Sequence, residues 1–181
     1  MDVKIKALPI VMSEEEAMKR AAGYKNPVVK AMARGKKINM RIMYLENRYY
    51  IYEMTYLNSP LAKLFGKSED DETKQKIRIV VEATTCSASY TSDPLTFKEI
   101  EVDEDSIQPS YYDDQRLEDT GAFLAKRMTR RRIGRQIMIE TLSCETFYRP
   151  YYIAIYGDMV EGTKARYLPI AADGNEVNTT I

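Results

Sequence analysis

Apolar residues along this chain recur at helical spacing in two regions and alternate with polar residues through most of the remainder. Ser13-Glu14-Glu15-Glu16 has the form of a capping box, in which the serine hydroxyl accepts the Glu16 amide and the Glu16 carboxylate returns to the Ser13 amide. Ala17, Met18, Ala21 and Ala22 follow as an apolar stripe, with Gly23 as the expected stop. Asn26-Pro27 begins a second short helix, a cap followed by proline at the first helical position. That helix reaches Gly35 through Val28, Val29, Ala31 and Met32.

From Ile38 the period becomes two. Residues 38–45 read as a strand, Glu46-Asn47-Arg48 as a tight turn and residues 49–56 as a second strand, together a hairpin. Residues 57–73 read as a long exposed excursion, with an apolar patch (Leu61, Leu64, Phe65) as a candidate contact surface and the acidic run Glu69-Asp70-Asp71-Glu72. A third strand occupies residues 77–83, extending toward Tyr90, and Ser92-Asp93-Pro94 ends it. Residues 94–114 read as an acidic connector, with short extended pieces at Leu95-Thr96-Phe97 and Ile100-Glu101-Val102. A helix then runs from about Arg116 or Thr120 to Ile133. Strand-like segments follow at residues 136–142, 148–156 and 165–172, the first two separated by Ser143-Cys144-Glu145.

The two halves therefore share one order: helix, strand, turn, tyrosine-rich strand, interruption, strand ending in alanine. Tyr49-Tyr50-Ile51-Tyr52 in the first half answers Tyr151-Tyr152-Ile153-Ala154 in the second. The expected fold class is α+β, two helix-plus-antiparallel-sheet units in a pseudo-repeat. Residues 1–93 form the first unit, residues 94–114 the connector and residues 115–181 the second unit.

The half-unit resembles PepSY-like and, more broadly, cystatin-like proteins. The resemblance is carried by Ser13-Glu14-Glu15-Glu16-Ala17, the Tyr49-Tyr50 strand and the closing Ala172-Asp173-Gly174-Asn175-Glu176-Val177 turn. It implies a non-catalytic, protein-binding role, in some members restraint of a peptidase. The first half departs from the pattern, with Glu82-Ala83-Thr84-Thr85-Cys86-Ser87 where a glycine turn belongs. Members are mostly exported or membrane-tethered, which this chain is not expected to be.

Composition narrows the chemistry. The 181 residues include no histidine, which removes the commonest general base and metal ligand. Two cysteines, Cys86 and Cys144, are expected to be free thiols, and the eight glycines are not spaced as a phosphate loop or dinucleotide fingerprint. Glu53, Glu82, Glu140 and Asp158 leave carboxylate chemistry formally open, but their strand-like settings point to solvated faces. The chain is read as no enzyme, with no cofactor and no metal. No segment approaches the roughly 18 uncharged apolar residues of a membrane helix, and Met1-Asp2-Val3-Lys4-Ile5-Lys6 lacks a secretory apolar core. A cytoplasmic location without membrane insertion is expected.

Charge is zero overall but split: residues 1–98 carry 17 Lys and Arg against 12 Asp and Glu, and residues 99–181 carry 10 against 15. The sharpest local feature is the cluster Lys126, Arg127, Arg130, Arg131, Arg132 and Arg135. Two readings compete for it. One pairs these bases with the acidic stretch of residues 99–119; the other makes them a docking surface. The expected partner is another protein, acidic in character, and the chain itself is a candidate homo-oligomer. The alternative is a nucleic-acid-binding accessory protein that adds the tyrosine-rich sheet as a stacking platform.

Overall fold

The cap signals are realised in the computed structural model, which describes residues 1–57, 72–133, 137–158 and 166–174. Ser13 Oγ accepts the Glu16 amide at 3.2 Å and starts helix α1 (Glu14–Ala21). The return half of the expected box is not made; the Glu16 carboxylate accepts from Arg20, one turn on, at 2.8 Å. Asn26 Oδ1 accepts the Val28 and Val29 amides and starts α2 (Pro27–Ala33). The third helix, α3, spans Asp114–Ile133. The strands are β1 (Asp2–Ala7), β2 (Ile38–Leu57), β3 (Glu72–Glu82), β4 (Ser87–Thr91), β5 (Lys98–Asp103), β6 (Ile107–Gln108), β7 (Ile137–Tyr156) and β8 (Arg166–Ala171). The fold is α+β with a large mixed sheet, and no described helix is long and apolar enough to cross a membrane.

Two expected turns are absent. Residues 38–57 form one 20-residue strand rather than a hairpin. Asn47 pairs with Glu82 and Arg48 with Val81 in the β3 ladder, and Glu46 and Asn47 are buried. Glu46-Asn47-Arg48 contains no glycine to favour a tight hairpin turn, while the β3 ladder begins at Asn47 and Arg48 and keeps them extended. Residues 137–156 likewise form one strand, so Ser143-Cys144-Glu145 is no separator. The acidic connector is also partly sheet: β5 pairs antiparallel with β1 from Asp2↔Asp103 to Ala7↔Lys98. Between them run the ion pair Lys4–Glu101 and the contact of the N-terminal ammonium with Asp103. The excursion patch Leu61–Phe65 lies outside the described residues.

Contacts divide the molecule into two units that interleave along the sequence, where the sequence reading divided the chain in order. One unit draws its described residues from Met1–Glu46, Thr96–Gln108 and Phe147–Glu176. There, β8 pairs antiparallel with β7 from Tyr151↔Ala171 to Tyr156↔Arg166, and α1 and α2 cover that pair. Ala17, Ala21 and Val29 meet Ala154, Tyr156 and Ile170. Tyr156 Oη donates to the Ala21 carbonyl at 2.8 Å, tying strand to helix. Beside this core, Ile5, Ala7 and Tyr44 form a second cluster. A buried ion pair, Arg149 Nε to Asp173 Oδ2 at 2.7 Å, fixes the turn after β8.

The other unit takes its described residues from Asn47–Leu95 and Pro109–Thr146. Here β2 pairs with β3 from Asn47↔Glu82 to Leu57↔Glu72, and β3 with β4 across a tight turn. Cys86 closes that turn with a φ of 55°, a left-handed conformation that favours glycine. Helix α3 lies over the sheet. Leu117, Leu124 and Ala125 meet Tyr50, Tyr52, Met54, Ile77, Ile79 and Val81. Thus α1 and α2, early in the chain, cover strands that come late, and α3, late in the chain, covers strands that come early.

Candidate functional site

Helix α3 sorts its residues by face. Leu117, Leu124, Ala125 and Thr129 are buried, and Gly121 lets the helix approach the sheet: a Cβ there would stand 2.5 Å from Tyr52 Oη. The Thr129 hydroxyl donates to the Ala125 carbonyl at 2.8 Å and lies within reach of Met54 Sδ. These contacts fix which side of the helix faces outward. On it stand Phe123, 66% exposed, with Lys126 three residues on and Arg127 four. Side chains at these spacings are neighbours on a helix surface, so an aromatic ring and two cations share one outward patch.

Of the six expected site residues, Lys126 and Arg127 are exposed and make no ion pair among the described residues. Arg130, Arg131 and Arg132 continue the α3 backbone, but their side chains, and all of Arg135, lie outside the described residues. Three acids of the stretch at residues 99–119 have partners other than Lys126 and Arg127. Asp114 holds Arg48 at 2.9 Å, Glu118 accepts from Thr141 at 2.9 Å and Asp119 accepts from Gln115 at 3.1 Å. Phe123 was not anticipated. Its signal was in the sequence: an aromatic residue at i−3 and i−4 from two bases, off the stripe of Ala122, Ala125 and Thr129.

The tyrosine-rich strand is not a surface. Tyr49, Tyr50 and Tyr52 are 6%, 2% and 0% exposed, and Tyr50 stacks on Tyr52 with ring centroids 5.6 Å apart. Burial, then the neighbouring Cys144, pushes the Tyr50 phenol well above its ordinary range; burial, then Glu118, does the same for Tyr52. Burial also raises the Cys144 thiol, Asp114 and Glu118 adding to it while Tyr50 and Arg48 oppose it. These shifts favour the protonated form of all three groups. The carboxylates considered for catalysis are dispersed: Glu53 pairs with Lys74 at 3.1 Å, Glu82 accepts from Thr84 at 2.8 Å, and Glu140 and Asp158 are exposed.

Among the described residues, a cavity of about 40 Å³ lies against Met54, Ile77, Tyr90 and Met128, well below the few hundred Å³ of an ordinary small-molecule site. Among the described residues no group of acidic or cysteine side chains is placed to hold a metal ion. No family model, curated protein or solved structure matches the chain.

Proposed function

We propose that the protein is a non-catalytic binding module that docks an acidic protein segment on the outward face of α3. The observation that carries this reading is the patch of Phe123, Lys126 and Arg127, an exposed aromatic ring beside two cations without ion pairs among the described residues. Aromatic and arginine side chains dominate interface energetics, and an anchoring ring of this kind is worth about 2 kcal/mol or more when truncated. Cations flanking it select for acidic partners and steer their approach.

The resemblance to PepSY-like and cystatin-like proteins belongs to the same reading. Each half has the order helix, 20-residue strand, antiparallel partner strand: α2, β2 and β3 in one, α3, β7 and β8 in the other. This order supports a pseudo-repeat of helix-plus-antiparallel-sheet units, and with it the protein-binding role that the resemblance implies. The alternative in which nucleic acid stacks on the tyrosine sheet loses its platform, because Tyr50 and Tyr52 lie under α3.

A selection of displayed random peptides against the immobilised protein tests the reading. Peptides enriched on the parent should carry clustered Asp and Glu. A variant with Phe123→Ser, Lys126→Glu and Arg127→Glu should not enrich them, and should melt near the parent because all three positions are exposed. The same acidic peptides recovered on both proteins, or no acidic bias on the parent, would sink the proposal.

A further inference from the structure

Between Ala17 and Leu45 the chain holds eight basic residues and no acidic one. Three of them have partners: Lys19 and Arg20 pair with Glu15 and Glu16 at 2.7 and 2.8 Å, and Arg41 donates to the Asp105 carbonyl at 2.9 Å. The other five, Lys25, Lys30, Arg34, Lys36 and Lys37, are exposed and make no ion pair among the described residues. Arg166 of β8, also exposed, lines an open groove of about 490 Å³ with Pro27, Val28, Ala31 and Met32 of α2. Tyr24 is 65% exposed and Val28 68%. The Lys25 ammonium sits 5.3 Å from the centre of the Tyr24 ring.

This surface is held in place. Gly23 has a φ of 90°, and a Cβ on it would meet the Lys30 backbone nitrogen at 2.3 Å, so the end of α1 is pressed against α2. Asn26 caps α2, and Val29 anchors it in the core. Six cations, an exposed ring and an apolar groove are therefore displayed on an ordered frame.

We infer that this surface binds single-stranded nucleic acid, with Lys25, Lys30, Arg34, Lys36, Lys37 and Arg166 along the phosphates, Tyr24 against a base and the groove taking an adjacent base or sugar. Cations that track a backbone and rings that stack on unpaired bases are the two parts of sequence-tolerant single-strand recognition. A duplex hides its base faces, so it gains nothing from Tyr24. An anionic membrane calls for a long, continuous apolar face, whereas the exposed apolar residues of α2 are Pro27, Val28 and Ala31, on a helix of 7 residues. The site shares no residue with the α3 patch, so each reading stands or falls alone.

Fluorescence anisotropy with a labelled 12-mer of deoxythymidine tests the inference, against a duplex of equal length and vesicles rich in phosphatidylserine. The parent should bind the single strand with an affinity falling as salt rises, at a log–log slope of about −0.7 for each phosphate contacted. Lys30→Glu, Arg34→Glu and Lys36→Glu together should weaken binding at least ~10-fold and flatten that slope. Tyr24→Ala should weaken it roughly 5-fold with the slope unchanged, as loss of stacking alone requires. The Phe123→Ser, Lys126→Glu, Arg127→Glu variant should bind the oligonucleotide like the parent. Any of four results overturns the inference: no binding at low salt, equal or tighter binding to duplex or vesicles, a charge reversal without effect on a folded variant, or loss of binding in the α3 variant.

Discussion

Replacing Gly121 by alanine sets two effects of opposite sign against each other, and the structure decides between them. In the interior of a solvated helix the change would stabilise by about 1 kcal/mol, since alanine loses less backbone entropy than glycine. In α3 the new methyl would stand 2.5 Å from Tyr52 Oη, 3.3 Å from Val81 Cγ2 and 3.4 Å from Tyr50 Cδ2. Tyr52 cannot swing aside: its ring is fully buried and stacked on Tyr50, and its hydroxyl donates to the Glu118 carbonyl at 3.3 Å. Losing that bond costs about 1 kcal/mol, and forcing the helix outward adds about 1–3 kcal/mol of overpacking. The net expectation is a loss of about 1–3 kcal/mol, read as a lower midpoint in urea denaturation followed by circular dichroism. The double-mutant cycle sharpens the test. With Tyr52→Phe the nearest oxygen is gone, so Gly121→Ala should turn from harmful to neutral or favourable, a coupling of about 2 kcal/mol. If Gly121→Ala alone raises the midpoint, α3 does not lie that close to β2 and the packing argument fails.

Other expectations follow from the same geometry. Gly23→Ala must accept a left-handed φ, at about 1–2 kcal/mol, and a clash with the Lys30 backbone; thermal melting should fall by roughly 6–12 °C, and an unchanged melt would refute the contact. Asp173→Asn removes the carboxylate charge that holds the buried Arg149 guanidinium and should cost about 3–5 kcal/mol, while Arg149→Met combined with Asp173→Leu should recover most of it in the same denaturation assay. The raised phenols of Tyr50 and Tyr52 favour the protonated form in the folded state. Their contribution is therefore complete below pH ~10, the ordinary tyrosine pKa, and is lost as pH rises above it. Tyrosinate absorbance should show these two rings ionising only with alkaline unfolding; early titration of all the tyrosines would contradict their burial. Asp103 runs the other way: the Asp105 amide and then the N-terminal ammonium hold its carboxyl below the usual carboxylate range. Acetylating the terminus should move the Asp103 titration, followed by NMR, upward.

The helices were legible because their signals are local. Ser13 accepts the Glu16 amide, Asn26 caps α2 as expected, and the stripe of Ala125 and Thr129 is the buried face of α3. In β2, Tyr50, Tyr52 and Met54, spaced by two, share the face under α3. The turns were not legible, because whether Glu46-Asn47-Arg48 bends depends on β3, whose pairing residues lie some 35 positions away. β1 was missed for a similar reason: six residues alternating Lys and apolar groups become a strand only when β5 presents Glu99 and Glu101 opposite them. The bases of α3 are legible from composition, but the place of Phe123 beside them depends on which side of the helix Gly121, Ala125 and Thr129 turn to the sheet. Five further cations before Ile38 escaped notice because they are spread over 13 positions instead of packed into ten.

The crossed ownership of helices and strands has a consequence for synthesis. When residues 1–93 have left the ribosome, Tyr50, Tyr52, Met54, Ile77, Ile79 and Val81 are all present, but the helix that covers them ends at Ile133. The mirror problem holds for α1, whose buried alanines wait for Ala154, Tyr156 and Ile170. Neither half of the chain can close its own core. Long-range contacts must form before either one is rewarded, so folding is expected to be slow and nearly all-or-none, with a sticky tyrosine sheet exposed meanwhile. A cut between residues 93 and 114 would then yield two fragments that aggregate alone and regain structure only when mixed.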